Sequence, residues 1–191
     1  MSLSDPELWG PLAGLAGEWT GEQGLDVAFH NASARVAETK FREHVTFAPF
    51  GPVDNGSQKL YGLDYRMAAW REGEANPFHT EIGYWLWEAA TGHVMRCFMV
   101  PRGTTLLAGG SAKPDDLSFT LEANVGSEVY GILSNHYLAA RARTIKYRCL
   151  VSVGDGTFSY DSCTTYVHAV GGEIAHTDRN TLQRVKQLSP T

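Results

Sequence analysis

The chain has 191 residues, of which 43% are hydrophobic, 11% aromatic and only 19% charged. At about 150 residues per domain this is one globular domain spanning residues 1–191, long enough to bury roughly 70% of its extended surface without disulfides or a structural metal; disorder and coiled coil are excluded by the low charge and high aromatic content. A net charge of −5 with no basic run argues against nucleic acid and anionic membrane as partners.

Cys97, Cys149 and Cys163 are far apart and sit among apolar or β-branched neighbours, which reads as reduced thiols. There is no 18-residue apolar run, and Met1 to Gly10 carries Asp5-Pro6-Glu7 where an export signal would be basic and apolar. The expectation is a cytoplasmic protein, with a homodimer left open.

In chain order, a short helical segment is predicted over about residues 5–16. Ser4 or Asp5 can cap it, Pro6 suits the first turn, and Leu8, Trp9, Leu12 and Leu15 give a small apolar face. Over residues 17–188 no helical period is sustained and period two dominates. Phe41, Glu43, Val45 and Phe47 alternate with Arg42, His44 and Thr46, and Tyr61, Leu63, Tyr65 and Met67 with Leu60, Gly62, Asp64 and Arg66. Further on, Ile145, Tyr147, Cys149 and Val151 alternate with Thr144, Lys146 and Arg148. Turn pairs separate these runs, and Asp155-Gly156 is the strongest hairpin signal because both central residues tolerate positive φ. With helices almost absent, the fold class is all-β. A closed antiparallel up-and-down barrel of about ten strands, preceded by the short helix, removes the sheet edges most simply.

Two stretches carry candidate chemistry. On a strand over residues 78–87, His79, Glu81, Gly83, Trp85 and Trp87 share one side; turned inward, they place an imidazole and a carboxylate beside space and two indoles. Buried polar groups need partners, and Arg66 or another cation is expected near them. The pair supports a structural network, a ligand-orienting group, or two ligands of a metal site completed by His44, His93 or His176. Near the C-terminus Ile174, His176, Asp178, Asn180 and Leu182 share a face that would bring the His176 imidazole to the cavity. Nucleophile-elbow, Walker, dinucleotide and zincin motifs are all absent from the sequence.

Taken in order, Gly17-Glu18-Trp19-Thr20-Gly21 after a short helix, Arg42-Glu43-His44-Val45-Thr46-Phe47, Leu60-Tyr61 to Tyr65-Arg66 with Trp70, and Phe78-His79-Thr80-Glu81-Ile82-Gly83-Tyr84-Trp85 make the chain resemble the nitrobindin family of haem-binding barrels, which have a fatty-acid-binding-protein-like or lipocalin-like fold. That resemblance implies a ten-stranded barrel holding ferric haem b on a late-strand histidine, here His176 as the iron ligand. It further implies an open site for nitric oxide and a capacity to isomerise peroxynitrite. Trp19, Trp85, Met95 and Met99 are then candidate walls, and His79, Glu81 and Arg66 an interior polar group. The family's terminal pattern places Leu and Arg five and seven residues after its histidine, whereas Leu182 and Arg184 lie one step further from His176, so a bulge around Asp178 to Asn180 is expected. Two other readings stand beside it: a carrier of a fatty acid or other apolar molecule oriented by Arg66, His79 and Glu81, and a metal-dependent enzyme built on His79 and Glu81.

Overall fold

Period-two alternation becomes eleven strands: β1 Gly17–His30, β2 Arg35–Asp54, β3 Lys59–Arg71, β4 His79–Glu88, β5 His93–Val100, β6 Thr104–Ser111, β7 Ser118–Val125, β8 Gly131–Ser134, β9 Ala142–Val153, β10 Thr157–His168 and β11 Gly172–Lys186. The computed structural model describes residue 3 and residues 5–190. Each strand turns one face inward, and pairing of β1 with both β2 and β11 closes the sheet into a barrel, so its hydrogen bonds need no edge partner.

Up-and-down order fails at one place. The four-residue β8 lies between β6 and β7, antiparallel to β6 and parallel to β7 through Asn124↔Gly131 and Val125↔Ile132. The stretch from 126 to 143, too long for a turn, is therefore spent on β8 and on a second helix, α2 (His136–Arg141), capped by the Asn135 side chain accepting from Leu138 N–H. Residues 26–39 are the extended arms of the β1–β2 hairpin, paired from Asp26↔Thr39 to His30↔Arg35.

The irregularity expected around Asp178 to Asn180 of β11 is not there: β11 gains an extra residue on β1 at Val185, and the other extra residue belongs to β1. β10 and β11 stay in step from Thr157↔Gln183 to His168↔Gly172, while β1 carries an extra residue between Gly21 and Gly24 relative to β2 and between Thr20 and Leu25 relative to β11. Glu22-Gln23 form this bulge because glycines on either side relax the backbone. The Asp155-Gly156 hairpin forms as predicted, although only Gly156 takes positive φ, at 67°.

One end of the barrel is filled. Helix α1 (Pro6–Trp9) runs into a 3-10 turn over Gly10–Leu15 that buries Trp9, Leu12 and Leu15. Asp5 C=O accepts from Leu8 and Trp9 at the start of the helix; Ser4 lies outside the described residues. Trp9 meets Tyr61 at 5.2 Å between ring centroids, and Gly10, at φ 50°, lies so close to the Trp87 indole that a Cβ would come within 2.4 Å of it. Burying each of these large side chains contributes roughly 1.5–3 kcal/mol. Among the described residues no helix is long and apolar enough to cross a membrane.

Candidate functional site

The opposite end opens onto a cavity of about 780 Å³. Its deep walls are the rings of Phe47, Trp85, Phe98 and Phe158, and its mouth is framed by Phe78, Arg102 and the α2 residues Tyr137, Leu138 and Arg141. Parity decides what reaches it. On β4, His79, Glu81 and Trp85 line the space as expected. On β5 the inward residues are Val94, Arg96 and Phe98, so Met95 and Met99 turn away, Met99 being 50% exposed, and neither is a cavity wall. Arg66 also points outward, sharing its parity with the exposed Asp64. Trp19 is fully buried, but in the filled end: its indole N–H donates to Leu15 C=O at 2.7 Å, Phe158 packs edge-on at 5.6 Å, and the Arg184 guanidinium lies 4.5 Å from its ring.

The cation beside His79 and Glu81 is Arg96. It donates to Glu81 Oε2, to the Tyr147 hydroxyl and, at 2.9 Å, to the Tyr65 hydroxyl, which itself donates to Glu81 Oε2 at 2.7 Å. Among the described residues Arg96 Nε has no hydrogen-bond partner; the guanidinium lies over aromatic faces, 4.2 Å from the Phe98 centroid and 5.1 Å from that of Trp85. Burial alone would raise the Glu81 carboxyl, yet Arg96, His79 and Tyr65 outweigh it and hold it at about 2. Burial works against a charged His79, whose Nε2 is 3.2 Å from Glu81 Oε1, but the carboxylate wins and raises its pKa. This is an ionised network whose charges are paired, not a set of free metal donors. His44 faces away from the interior, and His93 is exposed near Glu88, so neither completes a site with His79.

Deeper on the other wall is a second polar group, Glu43. Its Oε2 accepts from the Tyr160 hydroxyl at 2.9 Å and from the Asn180 amide at 3.0 Å. Burial, opposed by those two hydrogen bonds and by Arg96, pushes its carboxyl up to about 7. The link across β1 exists because Gly21 stands between: a Cβ there would lie 2.7 Å from Asn180 Nδ2.

His176 does line the cavity, as its shared face with Leu182 predicts, but its Nε2 is occupied. It lies 2.6 Å from Asp26 Oδ1 and 3.3 Å from Asp178 Oδ1. Burial would depress the imidazole, but the two carboxylates overcome it and raise its pKa to about 10, so the ring is an imidazolium at neutral pH. Asp26, His176 and Asp178 are close enough to hold a metal ion, and here the protonated ring is itself the cation between the acids. The Cys97 and Cys149 thiols are pushed up by burial and are unreactive.

Sequence reasoning missed Arg96, Asp26, Tyr160 and Asn180 as site residues. It placed Glu43 on the covered face of its strand without giving it a role. Arg96 was detectable as a charge on the same parity as Val94 and Phe98, and Glu43 as a carboxylate among Phe41, Val45 and Phe47.

The profile of the THAP4-like, heme-binding beta-barrel domain matches residues 9–184. Among solved structures, Rv2717c from M. tuberculosis superposes with a TM-score of 0.62 over 91% of this chain and 94% of its own, at 18% sequence identity, which establishes a shared fold. No curated protein matches the sequence significantly.

Proposed function

We propose, from the premise that this chain belongs to the THAP4-like, heme-binding β-barrel family, that its cavity binds a small organic molecule with a flat apolar body and a polar head, and that His176 is not an iron ligand. One observation carries the reading: the His176 ring is held as an imidazolium, its Nε2 2.6 and 3.3 Å from two carboxylates. Iron takes a neutral imidazole lone pair, and an imidazolium has none to give. The residues therefore do not fit haem held through His176, and the peroxynitrite chemistry implied by the resemblance is not proposed for this chain.

What remains is a lined cavity of suitable size, with aromatic walls and a few convergent polar groups. A fatty-acid carrier is disfavoured because the cations deep in the cavity, Arg96 and His176, are already paired with carboxylates, and Arg66 lies outside. Titration with hemin and, separately, with the neutral fluorophore N-phenyl-1-naphthylamine tests the reading. The fluorophore should bind with enhanced emission, and the cavity-filling Ser162→Trp should abolish it; hemin should give no Soret band that depends on His176. A hemin Soret band lost in His176→Ala would overturn the proposal.

A further inference from the structure

Among the described residues, Arg102 and Arg141 stand at the mouth of the cavity, and the charges deep inside it are matched within the wall with one exception. Arg96 and His79 meet Glu81, and His176 meets Asp26 and Asp178. Glu43 is the exception: both of its hydrogen bonds come from neutral groups, Tyr160 and Asn180, and both converge on Oε2. Oε1 makes no hydrogen bond among the described residues. It is not sealed either, since Glu43 lines the cavity and this oxygen is not among the buried orphan atoms. A carboxylate with one oxygen held by the wall and the other presented to an empty space is oriented for a ligand.

The wall beside it is aromatic: Tyr160, which donates to the carboxyl, leans on Phe158 at 6.0 Å, and Phe158 meets Phe47 at 5.6 Å, a setting that suits an apolar body next to the head group. Arg96 is already committed to Glu81 and to the rings of Tyr65, Trp85, Phe98 and Tyr147. We propose that Glu43 reads the ligand: its Oε1 accepts from a protonated amine carried on an aromatic or similarly apolar body. This rests on the reading that the cavity holds a small organic molecule, and it names the head group that molecule carries.

The groups facing Glu43 set how the site responds to pH. They are Tyr160 from β10, Asn180 from β11, Tyr65 from β3, Glu81 from β4 and Arg96 from β5, while β1 offers only Gly21. Tyr65 and Tyr160 are pushed up by burial and stay neutral, Glu81 and Arg96 stay charged as a pair, and Glu43 alone among these changes state near neutrality, at about 7. An ammonium head prefers the ionised carboxylate, so its affinity rises as pH increases through that region.

Calorimetric titration of the intact chain with 1-naphthylmethylamine, 1-naphthalenemethanol and 1-naphthoate at pH 6 and pH 8 tests this. The amine should bind at least tenfold more tightly than the other two at pH 8, and its affinity should rise about tenfold from pH 6 to pH 8, the change in the ionised fraction of a group with a pKa near 7. Glu43→Gln should remove both the preference and the pH dependence while still taking up N-phenyl-1-naphthylamine, which shows that the barrel and its cavity persist. Tyr160→Phe, which removes one donor to the carboxylate, should shift the midpoint of the pH profile upward. Equal or tighter binding of the alcohol or the acid, or an amine preference that survives in Glu43→Gln, overturns the proposal. If none of the three binds while N-phenyl-1-naphthylamine does, the amine proposal falls and the cavity reading stands.

Discussion

Asp26 and Asp178 are direct partners across the β1–β11 ladder, and the Nε2 of His176 lies 2.6 Å from one carboxylate and 3.3 Å from the other. Like charges directly opposed on neighbouring strands destabilise a sheet unless a cation lies between them. His176→Ala should therefore cost about 1–3 kcal/mol in urea unfolding at pH 7, with Asp26→Asn in the same background recovering part of it. The sign of the pH effect follows from a folded-state pKa above the ordinary histidine value: the contribution is fully present below about pH 6.5 and is lost progressively as pH rises to about 10. Urea titrations of wild type and His176→Ala at pH 6 and pH 10 should show their difference shrinking.

Arg96 carries the opposite wall. Arg96→Met should lower stability by about 3–5 kcal/mol, because it leaves the buried Glu81 carboxylate without its counterion. Arg96→Met with Glu81→Gln should be markedly more stable than the single variant. A single variant as stable as wild type would show that the network contributes nothing.

Glu43 behaves differently from Glu81 on titration, and the two are separable by their pH windows. The Glu43 folded-state pKa is raised, so burial costs nothing below about pH 4.5 and its penalty grows to full size above about 7. Glu43→Gln should thus be near neutral at pH 4.5 and stabilising by up to about 3 kcal/mol at pH 8, as read from urea midpoints. The Glu81 pKa is lowered, so its contribution is present above about pH 4.5 and is lost as pH falls towards 2, which acid unfolding of Glu81→Gln beside wild type would reveal.

Gly21→Ala puts a methyl 2.7 Å from the Asn180 amide and 2.9 Å from Leu182 Cγ. Asn180 must move and its hydrogen bond to Glu43 is lost. The expected outcome is a cost of about 1–3 kcal/mol in unfolding and a Glu43 carboxyl that titrates at higher pH in a carboxyl-resolved NMR titration.

Much of the scaffold could be read from residue order alone. Alternation over Phe41 to Phe47 and Tyr61 to Met67 oriented β2 and β3 correctly, and the tail face from Ile174 to Leu182 brought His176 to the cavity. The same rule, applied more strictly, would have rejected Arg66, which shares its side with Asp64, and Met95 and Met99, which oppose Val94 and Phe98. Other features depend on distant pairing. That Asp26 meets His176 depends on how β1 closes onto β11 past an extra residue at Glu22-Gln23, and no local pattern encodes that register. Trp19 was correctly placed inside, but which end of the barrel the first helix fills is decided by the fit of Gly10 against Trp87. The resemblance pointed to the family that the domain match shows, but not to the two carboxylates that meet His176.

The filled end makes the molecule a cup with a single door. Anything bound beneath Phe47 and Phe158 enters and leaves past Arg102 and the α2 residues Tyr137 and Arg141, because Trp9, Leu12 and Leu15 seal the base. Tyr137 and Arg141 therefore stand on the way in, whereas Trp85 stands on the wall beyond it.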